Sequence, residues 1–92
     1  MIKTVMIIDD ETHVLSALQR MLVRSGWQVI TFVNPLDALE FARHRIIPLV
    51  ITDFRMPKMT GTQFLQSLEE IKQRLAQQQF GMRFGLLWRR FS

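Results

Sequence analysis

The chain has 92 residues, of which 48% are apolar and 10% aromatic, which is enough for one small folded domain. It contains no cysteine, which excludes disulfides and thiolate chemistry, and no apolar run approaches the roughly 18 to 20 residues of a membrane span. The apolar stretch at the N-terminus is too short for a signal peptide, so we expect a cytoplasmic protein.

The formal net charge of +4 is unevenly distributed along the chain. Residues 1–70 carry a net charge of −1, whereas residues 71–92 contain five basic residues and no acidic residue. The basic character therefore belongs to the C-terminal part alone. We predict a domain over residues 1–76 and a basic aromatic tail over residues 77–92.

Strand and helix signals alternate before this tail. Residues 4–8 are a short apolar run, typical of a strand buried on both faces, and apolar residues then recur at helical spacing until Gly26. Residues 27–33 favour a second strand, and Asn34-Pro35 are typical of the start of a second helix. A third strand over residues 49–52 and a third helix after Gly61 complete the series. This order predicts an α/β fold with a parallel sheet and right-handed crossovers.

The tail favours no single element. Every second residue from 80 to 88 is apolar, as in a half-exposed strand, but the aromatic residues also recur at helical spacing. Gly81 and Gly85 weaken a helix. The sequence leaves strand and helix open for this segment.

Three aspartates follow the predicted strands. Asp9 and Asp10 come directly after the first strand, and Asp53 follows the third. The carboxyl ends of neighbouring parallel strands lie side by side, so these carboxylates are expected to meet. For Asp53 alone, capping of the next helix is an equal alternative, but the acidic pair one βαβα unit upstream favours a shared site. Such a cluster suits Mg²⁺, and a carboxylate beside a metal can accept a phosphoryl group.

A specific signature covers this region. Residues 53–61 read Asp-x-x-Met-Pro-x-Met-x-Gly after an apolar strand, with the acidic pair at residues 9 and 10 upstream. With these motifs the chain resembles a response-regulator receiver domain of two-component signalling, in the CheY-like superfamily. The resemblance covers residues 3–71.

The resemblance implies a flavodoxin-like sheet with strand order 2-1-3 and a role for each acidic residue. Asp53 would be the phosphoacceptor, Asp10 would bind Mg²⁺ directly, Asp9 would bind it through water, and the backbone carbonyl of Arg55 would be a further ligand. The partner would be a sensor histidine kinase or a phosphotransfer protein. The chain would be a signalling domain and not an enzyme, and we expect no nucleic-acid contact by this domain.

The chain departs from the family after the third helix. Receiver domains have five strand–helix units, with a Ser or Thr ending the fourth strand and a Lys ending the fifth, and neither is recognisable here. We favour a truncated or frame-shifted receiver over a divergent but complete one. The alternative function is a non-switching remnant that acts by protein association or through its basic tail. The edge of the third strand would then be covered by residues 80–88 or drive self-association.

Overall fold

The computed structural model of the protein describes residues 3–45, 47–78 and 85–89, with side-chain surroundings as far as residue 75. Strands and helices alternate through these ranges as the sequence predicted. Their bounds are β1 Lys3–Ile8, α1 Thr12–Arg24, β2 Trp27–Phe32, α2 Pro35–Ala42, β3 Leu49–Asp53, α3 Gly61–Gln78 and β4 Gly85–Arg89.

The strands form one parallel sheet in the order β2-β1-β3-β4. The predicted order 2-1-3 is confirmed, with β1 between β2 and β3. In the β1–β3 ladder Val5 lies opposite Leu49 and Ile8 opposite Thr52. The residues that follow Ile8 and those that end β3 therefore lie at the same edge of the sheet.

The segment for which the sequence left strand and helix open contributes β4. Gly85 lies opposite Leu49 and Arg89 lies opposite Asp53, so β3 has a neighbour on each side. Of the two arrangements expected for the edge of β3, coverage by the tail is the one the structure has for residues 85–89. Residues 80–84 of the predicted segment lie outside the described residues.

The apolar run of β1 contributes to two cores, one on each face of the sheet. Val5 and Ile7 pack with Leu15 of α1 and Ile51 of β3. Met6 and Ile8 lie on the other face, in a larger cluster with residues of α2 and α3. Side chains alternate between the two faces of a strand, so a strand covered on both sides is apolar throughout.

Local signals define the helix ends. Gly26, just after α1, has φ of +90°, as expected of a glycine that follows the helix C-cap. Asn34 caps α2, because its side-chain oxygen accepts a hydrogen bond from the N–H of Leu36 at 3.0 Å. Thr60 and Gln63 form a reciprocal capping box at the start of α3, with hydrogen bonds of 3.1 and 2.9 Å.

Helix α3 continues to Gln78, two residues past the boundary predicted at residue 76. The division into a domain over residues 1–76 and a tail over residues 77–92 stays a prediction. Among the helices that the structure describes, none has the length and apolar character needed to cross a bilayer.

Candidate functional site

Asp9, Asp10 and Asp53 meet at the carboxyl edge of the sheet. Each contributes one carboxylate oxygen to a group whose members all lie within 4.8 Å of one another. The register explains this arrangement, because Ile8 lies opposite Thr52 and the next residue of each strand is an aspartate. The convergence expected from the sequence is thus present in the structure.

Asp9 is the most deeply placed of the three, with 1% of its surface exposed. Its Oδ1 accepts a hydrogen bond from the N–H of Glu11 at 2.9 Å. Its Oδ2 has no hydrogen-bond partner among the described residues. A buried carboxylate oxygen without a partner is costly, so it points to a cation that would neutralise it.

The surroundings of Asp9 also change its acidity. The pKa of its carboxyl is raised from 3.8 to about 6, chiefly by burial and also by the negative charges of Asp53, Asp10 and Glu11, while the hydrogen bond from the Glu11 N–H lowers it. Desolvation disfavours the charged form of an acid, and nearby like charges do the same. At neutral pH the negative charge of the Asp9 carboxylate is therefore energetically unfavourable in this cluster.

Asp53 ends β3 and is 6% exposed. Its Oδ1 accepts a long hydrogen bond of 3.4 Å from the N–H of Arg55. The Arg55 side chain is exposed, so this residue bears on the site through its backbone. The hydroxyl of Thr52 donates to the backbone carbonyl of Asp53 at 3.1 Å and is fully buried, which holds the end of the strand in place.

Gly61 closes the loop that begins at Asp53. Its N–H donates to the carbonyl of Phe54 at 2.7 Å, and a Cβ at this position would lie 2.5 Å from the carbonyl oxygen of Asp53. Only a residue without a side chain allows the start of α3 to approach the end of β3 so closely. From the sequence, Gly61 was expected only at the entry of the helix, although its place in the signature was the available signal for this contact.

An open cavity of about 230 Å³ lies beside the aspartates. Its walls come from the first loop and from the loops after β2 and β3, and it was not foreseen from the sequence. The available signal was that β2 ends at the same edge of the sheet as β1. The lining residues are Asp10, Val33, Asn34, Pro35, Pro57 and Lys58.

Comparison with known proteins identifies the family. Residues 5–77 match the family described as Response regulator receiver domain. This match covers well over half of the 92 residues, so the chain belongs to the response-regulator receiver family.

Individual proteins agree with this membership. Response regulator Rre1 from Synechocystis sp. is 37% identical over 68 residues, which are 73% of this chain and 29% of Rre1. A crystal structure of an uncharacterized protein from Neptuniibacter caesariensis is 46% identical with a TM-score of 0.70, and the match covers 73% of this chain and 50% of that one. The structure of FixJ-N is 28% identical with a TM-score of 0.80, covering 98% of this chain and 65% of that one. The chain thus spans less than a third of Rre1.

The end of β4 differs from the pattern expected of the family. The strand ends at Arg89, opposite Asp53 in the ladder, and not at a Ser or Thr. No Lys follows Lys72 in the sequence. The acidic residues of the expected site are therefore assembled, whereas a hydroxyl or ammonium partner for the phosphoryl group is not recognisable among the residues that the structure describes.

Proposed function

We propose that this domain accepts a phosphoryl group on Asp53 from a sensor histidine kinase or a phosphotransfer protein, with Mg²⁺ as the cofactor. The observation that carries the proposal is the cluster of Asp9, Asp10 and Asp53, in which the buried Oδ2 of Asp9 has no partner among the described residues. Oxygen ligands alone are what Mg²⁺ prefers, so the residues present fit this ion.

The three carboxylates would divide the work. Asp10 would contact the ion directly, Asp9 through water, and the backbone carbonyl of Arg55 would add a further oxygen. When bound, Mg²⁺ would offset the charge of the carboxylates and of the incoming phosphoryl oxygens. Asp53, held at the end of β3 with its Oδ1 toward the Arg55 N–H, would supply the nucleophilic oxygen.

Labelling by a small phosphodonor tests this proposal. The full chain is incubated with acetyl phosphate and Mg²⁺, and intact mass reports the addition of one phosphoryl group. We expect slow labelling of the wild type and none of Asp53→Asn. Labelling should also require the metal, since chelation with EDTA leaves three carboxylates facing a phosphate dianion. Absence of labelling, or labelling that survives in Asp53→Asn, would contradict the proposal.

The expected slowness has a structural reason. β4 ends at Arg89 and not at a Ser or Thr, and the loss of one charge-assisted hydrogen bond to the phosphoryl group removes on the order of 1.5 to 3 kcal/mol of stabilisation. The end of β4 at Arg89 also favours a second function. The chain would then be a receiver remnant that associates with other proteins without switching. Amide chemical shifts that are identical before and after phosphorylation, except beside Asp53, would favour the remnant.

A further inference from the structure

The cavity beside the aspartates shares one residue with them. Asp10 belongs to the carboxylate cluster and also lines the cavity. The other walls are mostly apolar and are formed by Val33, Pro35 and Pro57. A molecule held at Asp53 by its phosphoryl group would therefore have an apolar recess next to the rest of its structure.

Part of the wall of this recess is held in place by contacts within the chain. Asn34 is held by its hydrogen bond to the Leu36 N–H, and Pro35 is buried at the first position of α2. Pro57 has a restricted backbone in the loop after β3. A preformed recess avoids the entropy that a flexible one loses on binding.

The charges and the apolar walls of the recess together favour a ligand with an anionic group at one end and an apolar group at the other. Lys58 is exposed at its rim and adds a positive charge, and a cation held by the aspartates would add more. These charges suit a phosphate dianion, whereas the apolar walls suit a hydrocarbon group. In size, a cavity of about 150 Å³ admits a benzene ring in another protein, so one of about 230 Å³ has room for a ring.

We propose that this recess binds the apolar acyl group of a small acyl phosphate, so that an aromatic acyl phosphate donates to Asp53 more readily than acetyl phosphate. The inference rests on the proposed phosphoacceptor function and deepens it by naming a class of donor. A carboxylate oxygen of Asp53 forms a bond to phosphorus, and the bond from phosphorus to the bridging acyl oxygen breaks. The electron pair leaves with the acyl group as a carboxylate ion, benzoate in the case of benzoyl phosphate.

Two donors and two substitutions of Val33 test the inference. Labelling rates of the full chain with benzoyl phosphate and acetyl phosphate are measured by intact mass, with Mg²⁺ present, and their ratio is compared between variants. Because the intrinsic reactivity of each donor cancels in this comparison, the change in ratio reports the recess alone. Val33→Trp adds bulk to the recess from a position that is 48% exposed, and it should lower the ratio about fivefold.

A matched control separates the recess from a general effect of tryptophan. Val23 is 54% exposed near the end of α1, away from the site, and Val23→Trp should leave the ratio unchanged. Val33→Asn, which makes the wall polar without adding bulk, should also lower the ratio. An unchanged ratio in both Val33 variants would overturn the inference while leaving phosphorylation of Asp53 intact.

Binding of unreactive probes gives a readout that does not depend on phosphotransfer. Benzylphosphonate should shift the amide signals of Val33, Asn34 and Lys58, whereas methylphosphonate should shift only those beside the aspartates. If neither donor labels the chain, the phosphoacceptor function fails, and the probes still decide whether the recess binds an aromatic group. Equal shifts with both phosphonates would refute the recess as a binding site.

Discussion

The buried carboxyl of Asp9 makes the stability of this domain depend on pH. Its pKa is about 6 in the folded protein and 3.8 as an ordinary carboxyl, a difference equivalent to about 3 kcal/mol. The folded state therefore binds the proton more tightly than the unfolded state. The stability that comes from the protonated group is fully present below pH 3.8 and is lost as the pH rises through about 6.

Asp9→Asn removes the charge while keeping an oxygen that can accept from the Glu11 N–H. At pH 8 and without divalent cations, we expect this variant to have a free energy of unfolding about 1 to 3 kcal/mol higher than the wild type. The gain can be smaller than the full value of about 3 kcal/mol because the new amide nitrogen is buried without a partner among the described residues, and this costs free energy. The advantage should shrink toward zero as the pH falls to about 4.

Urea unfolding at several pH values, in the presence of EDTA, measures this difference directly. Asp37→Asn, at an exposed position in the first turn of α2, serves as the control for simple charge removal and should show no such gain. Mg²⁺ should stabilise the wild type by about 2.7 kcal/mol at a hundred times its Kd. It should therefore reduce the difference in free energy of unfolding between the wild type and Asp9→Asn. The reasoning would be refuted by an Asp9→Asn variant that is less stable than the wild type at pH 8. It would also be refuted if the difference in free energy of unfolding were the same at every pH.

Three further predictions follow from contacts around the site. Gly61→Ala should destabilise the domain by about 1 to 3 kcal/mol in urea unfolding, because the new Cβ would clash with the Asp53 carbonyl. In Gly26→Ala the new Cβ meets no atom within 4 Å, so a similar loss of stability there would come from backbone strain and not from a clash. Thr60→Ala should cost about 1 kcal/mol through loss of the cap to the Gln63 N–H, and a Thr60→Ser variant as unstable as Thr60→Ala would contradict that reason. Deleting residues 80–92 should unpair β3 and increase self-association in sedimentation velocity, and a truncated chain that stays monomeric would show that β4 does not protect this edge.

Much of the fold was predictable from local patterns. The continuous apolar run of β1, the glycine after α1 and the Asn34-Pro35 pair at α2 each indicated an element that the structure contains, within a few residues of the predicted bounds. The site followed from the same reasoning, because parallel order places the residues after β1 and β3 at one edge. The convergence of the aspartates therefore did not require knowledge of any distance, whereas the strand order 2-1-3 came from the resemblance to receiver domains.

The features that could not be predicted from the sequence depend on contacts between distant segments. The tail carried alternating apolar residues that a strand and a helix explain equally well, and its pairing with β3 is a property of the assembled sheet. The recess near Val33 arises in the same way, from the packing of three loops. The approach of Gly61 to Asp53 depends on the path of the loop between them, which no local pattern specifies.

The apolar character of β1 on both faces leaves its alignment poorly specified by hydrophobicity. A slip of one residue exchanges the two faces of a strand, and in β1 this would replace one apolar set by another without exposing it to water. The acids at its end add a constraint, because a slip would carry the partly exposed Asp10 to the buried position of Asp9 and place a second carboxylate in the interior. The carboxylates that build the site therefore also act as an end stop that fixes the alignment of the central strand.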